Sequence, residues 1–97
     1  MATFISLVSF TEQGIRNIKQ SPQRAQAFKD AAQKAGVTVK DIYWTLGSHD
    51  IVVTIDAPNE EIVMSLLLGV GSLGNIRTQT LRAFSAEEIE GIISKIQ

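Results

Sequence analysis

Residues 37–57 read VTVKDIYWTLGSHDIVVTIDA. Two runs rich in β-branched and aromatic residues, Val37 to Leu46 and Asp50 to Ala57, flank the Gly-containing turn Gly47-Ser48-His49-Asp50. That pattern is a β-hairpin. In the second run Ile51, Val53 and Ile55 fall on one face, and Val52 and Thr54 on the other. The first run carries Lys40 and Asp41 in its middle, a placement of charge that protects the edge of a sheet.

The segments on either side of the hairpin are helical, and beyond them lie two more strands. Thr3 to Phe10, TFISLVSF, has Phe4, Val8 and Phe10 on one side and Ile5 and Leu7 on the other. A strand apolar on both faces is central and covered on both sides. Thr11 caps a short helical turn in which Ile15 and Ile18 share a face. Ser21-Pro22 then reads as N-cap and first helical residue of a helix through QRAQAFKDAAQKA, with Ala25, Phe28, Ala32 and Ala35 inward and Gly36 as its C′ residue. After the hairpin, Pro58 opens a helix with Glu60 and Glu61 in its first turn, where the helix dipole favours them. Its run from Ile62, IVMSLLLGVGSL, is apolar nearly all round, more than one sheet face can cover. Asn75 to Phe84 reads as a fourth strand. Ser85 to Ile96 is a last helix with the capping box Ser85-Ala86-Glu87-Glu88 and an apolar stripe of Ile89, Ile92, Ile93 and Ile96.

The resulting order is βαββαβ with a C-terminal helix, the α+β, ferredoxin-like pattern with an antiparallel sheet, in one domain over residues 1–97. Strand 1 is central, strands 2 and 4 are edges, and both helices lie on one sheet face. The half-apolar opposite face predicts dimerisation through the sheet.

Composition narrows the function classes. Net charge is −1, from nine Lys+Arg and ten Asp+Glu, and the basic residues are scattered, so no nucleic-acid surface is expected. With no Cys there is no disulfide and no thiolate site, which fits a reducing cytoplasm. The N-terminus lacks the layout of a signal peptide. The apolar run from Ile62 to Val70 is far shorter than the ~20 residues that cross a bilayer, so no membrane partner is expected.

Three stretches, TFISLVSFTEQGIRNIKQSPQR, YWTLGSHDIVVTIDAPNEE and GSLGNIRTQTLRAFSAEE, together resemble the GYD-domain family of small bacterial and archaeal proteins across nearly the whole chain. The resemblance implies a dimeric α/β-barrel type of assembly. It implies no reaction. The family's Gly-Tyr-Asp-like motif falls on Gly47, His49 and Asp50, with Ser48 between and His49 where the family has Tyr.

His49 is the only His and the one candidate for a catalytic base, with Asp50 to orient it. Its other reading is an exposed turn residue. Three consecutive residues, Ser48-His49-Asp50, do not form a nucleophile relay, because base and orienter must point at each other from fixed backbones. The carboxylates at Asp50, Asp56, Glu60 and Glu61 show no metal-ligand spacing with that single His, so no metal and no cofactor is expected. GVGSLGN, residues 69–75, lacks the Lys of a phosphate loop and follows a helix rather than opening one. A ligand site is expected instead on Trp44, Thr78, Thr80 and Arg82, with Tyr43, Arg77 and Gln79 nearby. In a barrel-like dimer these edge strands line the space between sheets, where Thr hydroxyls orient a small organic or anionic ligand and Arg82 pairs with its carboxylate or phosphate. Leu81 and Ala83, on the other side of the strand, are expected to pack under the helices. The alternative for the same residues is core, interface and solvated edge.

Three functions fit. The first is a homo-oligomeric binding or structural module with a small-molecule cleft between sheets. The alternative is a cofactor-independent enzyme, monooxygenase- or isomerase-like, with His49 or Arg77 assisting proton transfer. The third is a subunit that packs into a larger assembly with a different protein.

Overall fold

A computed structural model describes all residues from Met1 to Gln97. Strands β1 (Ala2–Phe10), β2 (Thr38–Trp44), β3 (Ile51–Ala57) and β4 (Ile76–Ala83) form one antiparallel sheet in the order β2-β3-β1-β4. Helices α1 (Glu12–Arg16) and α2 (Ser21–Lys34) connect β1 to β2, α3 (Glu60–Gly71) connects β3 to β4, and α4 (Ala86–Ile93) follows the sheet. This is the ferredoxin-like arrangement that the order of elements predicts.

Register decides which side chains meet. β1 sets Phe4 opposite Ile55 and Arg82, Ser6 opposite Val53 and Thr80, and Val8 opposite Ile51 and Thr78. Phe4, Val8, Ile51, Val53, Ile55 and Ala57 are buried, and with Ala32 of α2, Val37 and Val63 of α3 they make the core. So the even-numbered residues of β1 face the helices. The odd-numbered ones, Ile5 and Leu7, face away, with Val52 and Leu81 beside them. Leu81 is thus on the uncovered face, 43% exposed, and not under the helices. The face of β4 follows from its pairing with β1, which periodicity within β4 does not reveal.

Local signals held with small shifts. The Thr11 hydroxyl accepts from Gly14 N (3.1 Å) and caps α1, and the Asn59 side chain, one residue after Pro58, accepts from Ile62 N (3.0 Å) and caps α3. Ser21 is not a cap. A 3₁₀ turn over Ile18–Gln20 runs straight into α2, so Ser21 is already helical, and its buried hydroxyl accepts from the Trp44 indole N–H instead (3.0 Å). In α2, Ala32 is fully buried and Phe28 and Ala25 are half-buried, while Ala35 lies exposed past the last turn.

Ile15 and Ile18 of the first connection are exposed. What buries α1 is Gly14. The backbone of Asn75 lies so close that a Cβ at Gly14 would overlap the Asn75 carbonyl oxygen, which itself accepts from Thr11 N (3.0 Å). α1 is therefore docked by backbone contact rather than by its two isoleucines.

At α4 the capping box is complete: Ser85 N donates to the Glu88 carboxylate (3.0 Å) and Glu88 N donates to the Ser85 hydroxyl (3.1 Å). That Ser85 backbone N–H, helped by Ser85's hydroxyl and by Arg82 3.6 Å away, holds the Glu88 carboxyl below its usual 4.5. Yet no residue of α4 is buried, and its isoleucine stripe is open to solvent.

Two outcomes follow. Gly14→Ala should destabilise the fold by about 1–3 kcal/mol, as overpacking against rigid backbone does, read as a lower urea midpoint with an unchanged slope. Because the Glu88 pKa is lowered on folding, its contribution to α4 is present above the unfolded value and is lost as pH falls through the lowered one. In an acid titration followed by NMR, α4 amides should lose protection before those of β1 and β3.

Candidate functional site

Four places were open to chemistry: the hairpin tip, the polar residues of the edge strands, the space beneath the helices and the open sheet face.

At the hairpin tip the Asp50 carboxylate accepts from Phe10 N at 2.8 Å, and Asp50 N donates to the Val8 carbonyl at 2.8 Å. Thr45 N donates to the Asp50 carbonyl, and the Thr45 hydroxyl to the His49 carbonyl at 2.7 Å. Gly47 takes φ +115°, a conformation closed to most side chains, and so turns the chain. Asp50 is therefore a clasp that fixes the hairpin to the end of β1, and its carboxylate is turned to Phe10 rather than to His49. His49 is half-buried, with its Nδ1 shielded from solvent and without a hydrogen-bond partner.

Trp44, Thr78, Thr80 and Arg82 all project to the helix-covered side of the sheet, as their pairing with Ile51, Val8, Ser6 and Phe4 requires. They do not form one group. Trp44 sits at the β2 edge, bonded to Ser21, and the other three sit at the β4 edge, with β3 and β1 between. The Thr80 hydroxyl pairs with that of the buried Ser6 (3.0 Å). Arg82 is fully engaged: it donates to the Thr3 carbonyl (3.2 Å) and to the Ala83 carbonyl, pairs with Glu88, and lies over the rings of Phe84 (4.3 Å) and Phe4 (5.6 Å). It clamps the start of α4 to the sheet. Arg77 and Gln79 lie on the opposite, open face, and Tyr43 is there too. No group of three or more His, Asp or Glu side chains stands close enough to hold a metal ion.

Sequence reasoning missed the space beneath the helices. α2 lies over β2, and α3 over β3 and β4. Between them is a cavity of about 400 Å³, bounded by Phe28, Ile42, Val53, Leu66, Leu67 and Ile76, with Thr78 at its β4 side. The signal was in α2: Ala25, Ala27 and Ala31 line the cavity with side chains too short to fill it.

The open face displays Ile5, Leu7, Val52, Tyr43 and Leu81, with the polar pair Thr3–Asp56 (2.7 Å) towards one end and Lys40 3.8 Å from Asp56 at the β2 edge. No helix of the chain is long and apolar enough to cross a membrane.

Fold and register together define a small ferredoxin-like α+β domain. The chain belongs to the GYD-domain family, whose model matches residues 4–93. It is similar to a Thermus thermophilus protein named "Glutamine synthetase and cystathionine beta-lyase binding protein", 29% identical over 90 residues that span 92% of this chain and 95% of that protein. A crystal structure of a Thermus thermophilus protein, 26% identical, superposes with a TM-score of 0.57 over 89% of this chain and 96% of that one.

The clasp predicts unequal outcomes for neighbouring substitutions. Asp50→Ala, which leaves the Phe10 N–H without its partner, should cost about 1–3 kcal/mol. His49→Ala should stay within about half a kcal/mol. Urea denaturation of both variants measures the difference.

Proposed function

We propose that this chain is a homo-oligomeric binding module that uses its uncovered sheet face to assemble. One observation carries the reading: the single chain leaves too much surface open. It exposes 6647 Å², where a monomer of 10.6 kDa exposes about 5,500 Å². The excess is on the scale of the ~800 Å² per partner buried in a standard interface. The radius of gyration, 14.7 Å, likewise exceeds the ~13 Å of a compact domain of this size.

The chemistry of the open face suits a second copy. Its centre is aliphatic, Ile5, Leu7, Val52 and Leu81, with Tyr43 beside them and charged or amide groups, Lys40, Arg77 and Gln79, around them. An apolar centre with a polar rim is the usual anatomy of an interface. The isoleucines of α4 and the outward Met64 and Leu68 of α3 add apolar surface on other sides, which allows assembly beyond a dimer.

A second reading draws on the relative named for binding two enzymes. In it, the same face receives a different folded protein. Solution mass separates the two readings.

Light scattering at micromolar concentration should give the mass of a dimer or a larger homo-oligomer. Leu7→Glu should raise the dissociation constant at least tenfold with the far-UV CD spectrum unchanged, since Leu7 is outside the core. Leu67→Glu, at a residue that packs against the core, should unfold the chain instead. A monomer mass for the wild type overturns self-assembly and leaves the face to another protein.

A further inference from the structure

The cavity beneath the helices lies on the opposite side of the sheet from the assembly face, so what it holds is a separate question. Its walls are aliphatic and aromatic, with Phe28, Val53 and Leu66 among them. The two deeply buried polar groups that line it are already bonded, the Ser6 hydroxyl to Thr80 and the Ser21 hydroxyl to the Trp44 indole N–H. A sugar or nucleotide would surrender its bonds to water here without replacement.

Arg24 is the only charged side chain that lines the cavity. Its guanidinium donates to two backbone carbonyls, Asn17 (2.8 Å) and Gly14 (3.3 Å), and to no carboxylate. None of the chain's ion pairs includes it. A half-buried cation with donors to spare, at the side of an apolar cavity, complements one negative charge. It leaves nothing for a second, which disfavours phosphate monoesters.

We propose that the cavity binds an amphipathic monocarboxylate, with its apolar tail among Phe28, Val53 and Leu66 and its carboxylate on Arg24. At about 30 Å³ per group, the liquid-water measure, 400 Å³ accommodates roughly a dozen non-hydrogen atoms. That is the size of a medium-chain fatty acid or a small aromatic acid. Decanoate is a suitable probe, and decan-1-ol is its uncharged counterpart.

The test is calorimetric titration of the full chain at neutral pH with both probes. Decanoate should bind, with decanol at least tenfold weaker. Arg24→Gln should weaken decanoate at least tenfold and leave decanol unchanged. The titration is paired with NMR of the wild type, which depends on no variant's folding: decanoate should shift the amides of Phe28, Val53 and Leu66, and not those of Leu7 and Gln79 on the open face. Failure of decanoate to bind overturns the proposal. So does equal affinity for decanol, undiminished binding to Arg24→Gln, or shifts confined to the open face. Leu7→Glu should bind decanoate as the wild type does, which keeps this result distinguishable from that of the assembly experiment.

Discussion

β1 is the strand on which the rest of the molecule is registered. It is hydrogen-bonded on both edges, to β3 and to β4, and β2 joins only through β3. Its alternation therefore assigns both faces of the sheet at once: Phe4, Ser6 and Val8 towards the helices, Ile5 and Leu7 away. Burying one set obliges the other to be exposed, because a slip of one residue would exchange the two. Two connecting helices cover one face only, so an aliphatic strip on the far side is built into the topology.

The elements that secure this frame are mostly backbone groups held by a few side chains. Asp50 accepts from Phe10 N, Thr11 caps α1, and Asn75 reaches the first turn of α1 through its carbonyl. These contacts join the hairpin, the first connection and the entry to β4 at one end of the sheet. At the other end Arg82 and Glu88 tie α4 to β4. The Gly-His-Asp residues thus act in the frame through Asp50 and Gly47, and the position occupied by His49 is the one whose side chain the frame uses least.

Much of the fold was legible because its signals are local. Alternation in β1 and β3, the Thr11 cap and the Ser85 capping box each depend on residues a few positions apart. What escaped depends on distant partners. Nothing near Ser21 says that its hydroxyl will meet Trp44, or that the preceding turn makes it helical. Gly14 reads as a weak helix residue until Asn75 is placed against it. The inward face of Thr78, Thr80 and Arg82 was legible as a shared side of β4, but which side it was required the pairing of Leu81 with Ile5. The cavity was hardest, since it arises from a separation between two helices, and only the short side chains of α2 hinted at it.

The register of β2 against β3 shifts between Val39 and Asp41, at Lys40. An edge strand broken in this way presents no continuous row of donors and acceptors, and its charge would be stranded beside any strand that docked there. Head-to-tail edge addition, one edge of a copy against the other edge of the next, propagates without closing and turns subunits into filaments. At β2 the register shift and the Lys40 charge stand against such addition. One irregular residue in an outer strand thereby guards this edge of the sheet against open-ended growth.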